Sequence, residues 1–151
     1  MKWRKAAVLV AVLGLLVLPV GCKSGLPTGP SGSAQPVTVT MVVTGVHPDV
    51  AASFEAGQEV RIMESGARVG EIVSVEATSA AVVIGDAEGV LHEARSPIAR
   101  DVMLVVEGEA RVSEEGYKFG GAFQHINSQT VFLTSRTRFM ATVTGLEAAN
   151  D

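Results

Sequence analysis

The sequence predicts a mainly β fold, a small antiparallel β-barrel or sandwich-like domain with one short helix, behind an N-terminal signal or anchor segment. Three observations carry this. Short segments dense in β-branched residues alternate apolar with polar positions, the mark of strands with one face buried. Glycine-containing turns separate them at regular intervals. Only one stretch has the start chemistry of a helix.

The first 22 residues stand apart from the fold. Met1 to Lys5 are basic, Ala6 to Leu18 form an unbroken apolar run, and Pro19-Val20-Gly21-Cys22 come next. Basic, apolar and small-residue regions in this order make an export signal, which carries the downstream chain outward. Two outcomes fit. Cleavage before Cys22 and acylation of its thiol would leave a lipoprotein, and Leu-Pro-Val-Gly-Cys resembles a lipobox apart from Pro19. Alternatively residues 6–22 stay as one uncleaved span, covering about 25 Å against a hydrocarbon core of about 30 Å. The short span, Pro19 and the position of Cys22 favour the lipoprotein. Either way the partner of this segment is a membrane, and the domain lies in the cell envelope outside the cytoplasm.

Residues 23–36 are rich in Gly, Pro and Ser and read as a flexible tether. The β domain is expected over residues 37–147, with a disordered tail at 148–151. Val37 to Thr44 alternates as the first strand. Pro48 suits the first position of a helix, Asp49 its first turn and Gly57 its end, so a helix is expected over 48–56. Glu59 to Met63 and Arg68 to Glu76 form a hairpin around Glu64-Ser65-Gly66-Ala67, with Gly70 inside the return strand marking a bulge or a close backbone approach. Ala80 to Ile84 is a further strand, with Val90 to Arg95 pairing back. Asp101 to Glu107 and Ala110 to Ser113 continue the sheet. Gly120 and Gly121 exclude a regular helix in 117–124, and Thr130–Thr134 with Phe139–Thr144 close a last hairpin. Gly57, Gly66, Gly70, Gly120 and Gly121 are the expected structural turn positions.

Charge and cysteine count narrow the function classes. After Cys22 the chain holds nine basic residues against 16 acidic, a net charge of −7. Arg61, Arg68, Arg95, Arg100, Arg111, Arg136 and Arg138 are scattered among acids, which argues against nucleic-acid binding. Cys22 is the one cysteine, so neither an intramolecular disulfide nor a cysteine zinc site is available. His47, His92 and His125 share no ligand spacing, and no metal or cofactor is expected. Ser65 and Ser96 lack a nucleophile-elbow context, and Ser65-Gly66-Ala67 is explained by turn geometry. Arg100, Asp101 and Glu107 fit an ion pair or edge protection, and Phe119, Phe123, Phe132 and Phe139 fit the core. No catalytic residues are expected.

Four stretches carry a family resemblance: Val46-His-Pro-Asp-Val50, Ala56-Gly-Gln-Glu-Val60 leading to Gly70-Glu-Ile72, Arg100-Asp-Val102, and Phe119-Gly-Gly121 with Ile126 and Val131-Phe-Leu-Thr134 after it. Together they resemble an uncharacterised bacterial envelope family, domain of unknown function 4330. The resemblance implies a small membrane-linked protein with a role in envelope or surface-polysaccharide assembly, and it supplies no catalytic residues. Gly57 to Val60 and Val69 to Ile72 are also similar to β domains of membrane-lipid transport and efflux adaptors, which implies a lipid- or small-ligand-binding alternative. The leading expectation is a non-enzymatic interaction module with an envelope protein as partner.

Overall fold

The computed structural model describes residues 33–148. The signal or anchor segment, Cys22, most of the tether and residues 149–151 lie outside the described residues. Those 116 positions form mostly antiparallel β-sheet with one short helix, as the alternation predicts.

The elements are β1 (Ala34–Val46), α1 (Pro48–Ala51), β2 (Glu59–Ile62), β3 (Arg68–Gly85), β4 (Leu91–Ser113), β5 (Gly116–Phe119), β6 (Ala122–Gln124), β7 (Gln129–Leu133) and β8 (Arg138–Ala148). The sheet runs β1-β8-β7-β2-β3-β4-β5-β6, and β1 also pairs with β4. Six strands therefore pair in a closed circuit, while β5 and β6 form a hairpin appended to the end of β4. Closure removes edges from most of the sheet.

Four boundaries differ from the sequence expectation. β1 begins at Ala34, three residues inside the expected tether, because Ala34, Gln35 and Pro36 pair with Arg111, Ala110 and Glu109. β8 reaches Ala148, opposite Val37. The helix is one turn rather than nine residues. Ser53 N–H bonds back to the Val50 carbonyl in a tighter turn, and its hydroxyl bonds to the same oxygen. That departure carries Phe54 into the core, where its ring meets Phe139 edge-on at 4.9 Å. Finally, the strands expected at 68–76 and 80–84 are one strand, β3, and the Val90–Arg95 strand and the Asp101–Glu107 strand that Ala110–Ser113 continues are one strand, β4.

The core is the inner face of this circuit. Val39, Met41, Val60, Ile72, Leu104, Val106, Phe119, Phe132 and Val143 are fully buried. Alternation along β1 puts Val37, Val39, Met41 and Val43 inside and leaves the intervening threonines nearer solvent, the period-2 pattern of a half-buried strand. At roughly 25 cal/mol per Å2, each such aliphatic side chain contributes about 1.5–3 kcal/mol on burial. Phe123 is the exception among the phenylalanines expected in the core. It is half-buried at the sheet's end, beneath the Lys118 ammonium at 4.8 Å and stacked on His125.

Candidate functional site: a projecting two-stranded arm

β3 and β4 outrun the circuit. The last partner of β4 on β1 is Arg100, opposite Val46, and β2 pairs with β3 only over Arg68–Glu71. Beyond these points Ala81–Gly85 and Leu91–Arg95 have only each other. The result is an arm, residues 80–99, two strands wide and without a second sheet behind it.

The arm's composition is unusual for something so exposed. Val83, Ile84, Val90, Leu91 and Ile98 lie on it, and Val83, Leu91 and Ile98 are 67, 71 and 75 % exposed. They make up half of the large apolar side chains exposed among the described residues. Scattered apolar residues need no explanation, but half of them on one projecting element makes the arm the candidate site. A two-stranded ribbon alone is marginal in water, so this one is secured at both ends.

At its root, Asp101 clamps two elements. One carboxylate oxygen accepts from the Gly45 N–H at 2.8 Å and the other from the Ala81 N–H at 3.2 Å, tying the end of β1 to the start of the arm. Arg95 donates to the Ser79 carbonyl at 3.1 Å, and Arg100 to the Ser79 hydroxyl at 3.0 Å. Ser96 is buried, and its hydroxyl accepts from the Ile98 and Ala99 N–H groups, folding Ser96–Ala99 into a bulge around Pro97. At the tip, Asp86 accepts from the Val90 N–H at 2.8 Å, the Glu88 N–H at 3.1 Å and His92 Nε2 at 2.8 Å. The His92 bond first, and then the backbone N–H groups, hold the Asp86 carboxyl below its ordinary range.

The residues singled out in the sequence have local structural roles. His47 caps α1 through its ring nitrogen, His92 sits at the arm tip, and His125 lies beside Phe123 at the end of β6. No three His, Cys, Asp or Glu side chains among the described residues come together as metal ligands. The buried polar side chains among the described residues are Gln58, Ser96 and Gln124, with no carboxylate among them. Ser65 accepts the Ala67 N–H in the β2–β3 turn. Glu59 takes both Arg61 and Arg68, and the Arg61 bond chiefly lowers its pKa. Two of the scattered arginines are thus engaged within a single hairpin.

Gly57, Gly66 and Gly120 occupy left-handed backbone at turns. Gly70 is not a turn but the expected close approach. A Cβ there would lie 2.1 Å from the Glu107 carbonyl oxygen, and one on Gly108 opposite would lie 1.9 Å from that of Val69. Gly121 has open space around it. Cys22 lies outside the described residues.

Two adjoining surface grooves, of about 420 and 530 Å3, share Glu64 and Thr130 at the β2–β3 turn and β7. Phe123 and Gln124 line the larger, and the Gln124 carbonyl is already satisfied by Ser128 and Thr130. The interior of the circuit is filled by side chains such as Met41, Ile72, Leu104 and Phe132. The arm is only half visible in the sequence. Its pairing follows from the turn at Gly85–Gly89, but Val82-Val83-Ile84 reads as an ordinary sheet strand. The signal that marks it as an arm is the broken alternation of those three residues together with Pro97 on the returning strand.

A closed antiparallel circuit with a filled interior and one projecting ribbon defines a small, mainly antiparallel β domain. The chain belongs to the family Domain of unknown function (DUF4330), whose model matches residues 5–147, nearly its whole length. The match takes in the apolar run before Cys22 as well as every described strand. Comparison with curated proteins and with solved structures finds no match in either.

Proposed function

We propose that this chain is a non-enzymatic, membrane-anchored module of the bacterial cell envelope that docks an envelope protein through its arm, in support of envelope or surface-polysaccharide assembly. The observation that carries the reading is the gathering of Val83, Ile84, Val90, Leu91 and Ile98 on a ribbon that the rest of the fold does not cover. The export signal ending at Cys22 supports both the anchor and a domain outside the cytoplasm. The arm leaves the sheet at the Val46–Arg100 end, whereas the chain enters β1 at the opposite, Ala34–Arg111 end. Chain entry and apolar tip at opposite ends of the ladder favour a protein partner for the tip over the bilayer that anchors the chain. The lipid- or ligand-carrying alternative needs interior space that the core side chains occupy.

The test is crosslinking in native membranes with the full chain and a Leu91→Ser/Ile98→Ser variant. Each aliphatic side chain buried on docking contributes about 1.5–3 kcal/mol, so the variant should recover at least tenfold less of a specific envelope protein while melting like the parent. Equal recovery by both chains, or no specific partner for either, would reject the docking role.

A further inference from the structure

Among the described strands, edges without a neighbour include β6, Leu91–Ala99 of β4, and β3 beyond Ile72. Unpaired edges invite another strand, and proteins blunt them by shortness, proline, charge or a bulge. β6 is three residues long. The β4 edge carries Glu93, Arg95 and Pro97 and is broken by its bulge at Ser96–Ala99.

Past its bulge at Val73, β3 is the least protected of them. Ser74–Gly85 is about 40 Å of edge at 3.3 Å per residue, without a proline, lysine or arginine. Its one ionisable side chain is Glu76. The register shift between Ser79 and Ala81 takes its extra residues from β4, so the outer edge of β3 runs on through it.

We propose that this edge pairs with the same edge of a second copy, antiparallel across a twofold axis near Ser79, joining two sheets into one. The occupant follows from self-complementarity. With Ser79 opposite itself, Val83 on the arm stands against Val75 of the other copy, Ile84 against Ser74 and Val82 against Glu76. Both exposed arms are covered in one step, as an isologous contact requires. The two Glu76 carboxylates then lie six strand positions apart, about 20 Å, beyond the Debye length of about 8 Å at physiological salt. Elsewhere two copies, each carrying −7 after Cys22, repel; along Ser74–Gly85 that repulsion is weakest. This pairing uses the β3 side of the arm and leaves Leu91 and Ile98 on β4 for the partner proposed above.

The dimer is tested on the full chain in detergent by light scattering with the detergent contribution subtracted, and in membranes by disulfide trapping. The expected protein mass is that of two chains. Val83→Lys should weaken association at least tenfold with unchanged melting, whereas Met140→Lys, on exposed surface away from β3, should leave it intact. Ser79→Cys should give a disulfide-linked dimer under mild oxidation, and Met140→Cys should not. A single-chain mass for the parent, indifference to Val83→Lys, or no dimer-specific disulfide at position 79 would each overturn the proposal. A single-chain mass alongside continued recovery of the envelope partner would overturn the dimer alone and leave the docking role standing.

Discussion

Gly70 and Gly108 face one another across the β3–β4 ladder, and neither has room for a methyl group. Adding one at either position drives a Cβ into a backbone carbonyl, which cannot rotate away as a side-chain tip would. Gly70→Ala or Gly108→Ala should therefore cost about 3 kcal/mol by overpacking, read as a lower denaturation midpoint at constant slope. Gly121→Ala, in open space, should stay within about 0.5 kcal/mol of the parent. Asp101 is the other decisive residue, because two backbone N–H groups depend on it. Asp101→Ala should destabilise by about 1–2 kcal/mol and speed amide exchange at Gly45 and Ala81 more than at the Val39 or Leu104 amides. Uniform exchange changes would mean that Asp101 supports the fold generally rather than the arm root. The role of Gly70 is legible in the sequence, since glycine inside an alternating strand has few other reasons to be there. That of Asp101 is not, because its two acceptor bonds join segments 56 and 20 residues away. Phe123 escapes sequence reasoning for a related reason: hydrophobicity says that a ring prefers burial, not which face of the β5–β6 hairpin turns inward, and Phe119 takes that face while Phe123 pairs with Lys118 on the other.

At the scale of elements, strands are legible in the sequence and strand ends are not. Alternation is a phase, and a bulge resets it. The excursion at Ser96–Ala99 shifts the phase of β4, and the small and polar Ala77-Thr78-Ser79 interrupt the apolar pattern of β3, so each continuous strand reads as two. The helix differs for another reason. Its start chemistry at Pro48 and Asp49 is real, but one turn suffices to deliver Ala51 and Phe54 to the core. The arm is the element whose stability should depend on pH. Asp86 has a lowered pKa in the fold, so the folded tip binds fewer protons than the unfolded chain in the acid range. Stabilisation is then fully present above the ordinary Asp value near 4 and is lost as pH falls through the lowered value. Amide exchange at Glu88 and Val90 should accelerate below about pH 4 relative to exchange in β1. Asp86→Asn should flatten that dependence, and an acid response surviving the substitution would assign it to another carboxylate.

For the whole molecule, the polarity of the chain sets the polarity of function. Chain entry at Ala34 and arm exit past Arg100 lie at opposite ends of the β1–β4 ladder, which joins eleven residue pairs. From Arg111 back to Leu91, β4 spans up to about 65 Å at 3.3 Å per residue, so an anchor placed before Ala34 and the apolar tip of the arm are far from one another. A lipid-inserting role would bring Leu91 and Ile98 to the bilayer, whereas a protein-docking role keeps them in water until the partner arrives. A fluorophore at Glu88→Cys, on full-length protein reconstituted in vesicles containing brominated lipid, separates the two. Quenching should be absent there and strong for a label placed beside Cys22. The intact mass of the membrane-extracted protein completes the test: residues 22–151 plus acyl groups, lost in Cys22→Ala, would fix the anchor as lipid on that cysteine. An unmodified full-length mass would instead fix it as the apolar span. On the proposed reading either anchor is compatible with an arm that points outward, and quenching at the tip would instead make the exposed aliphatics a membrane contact.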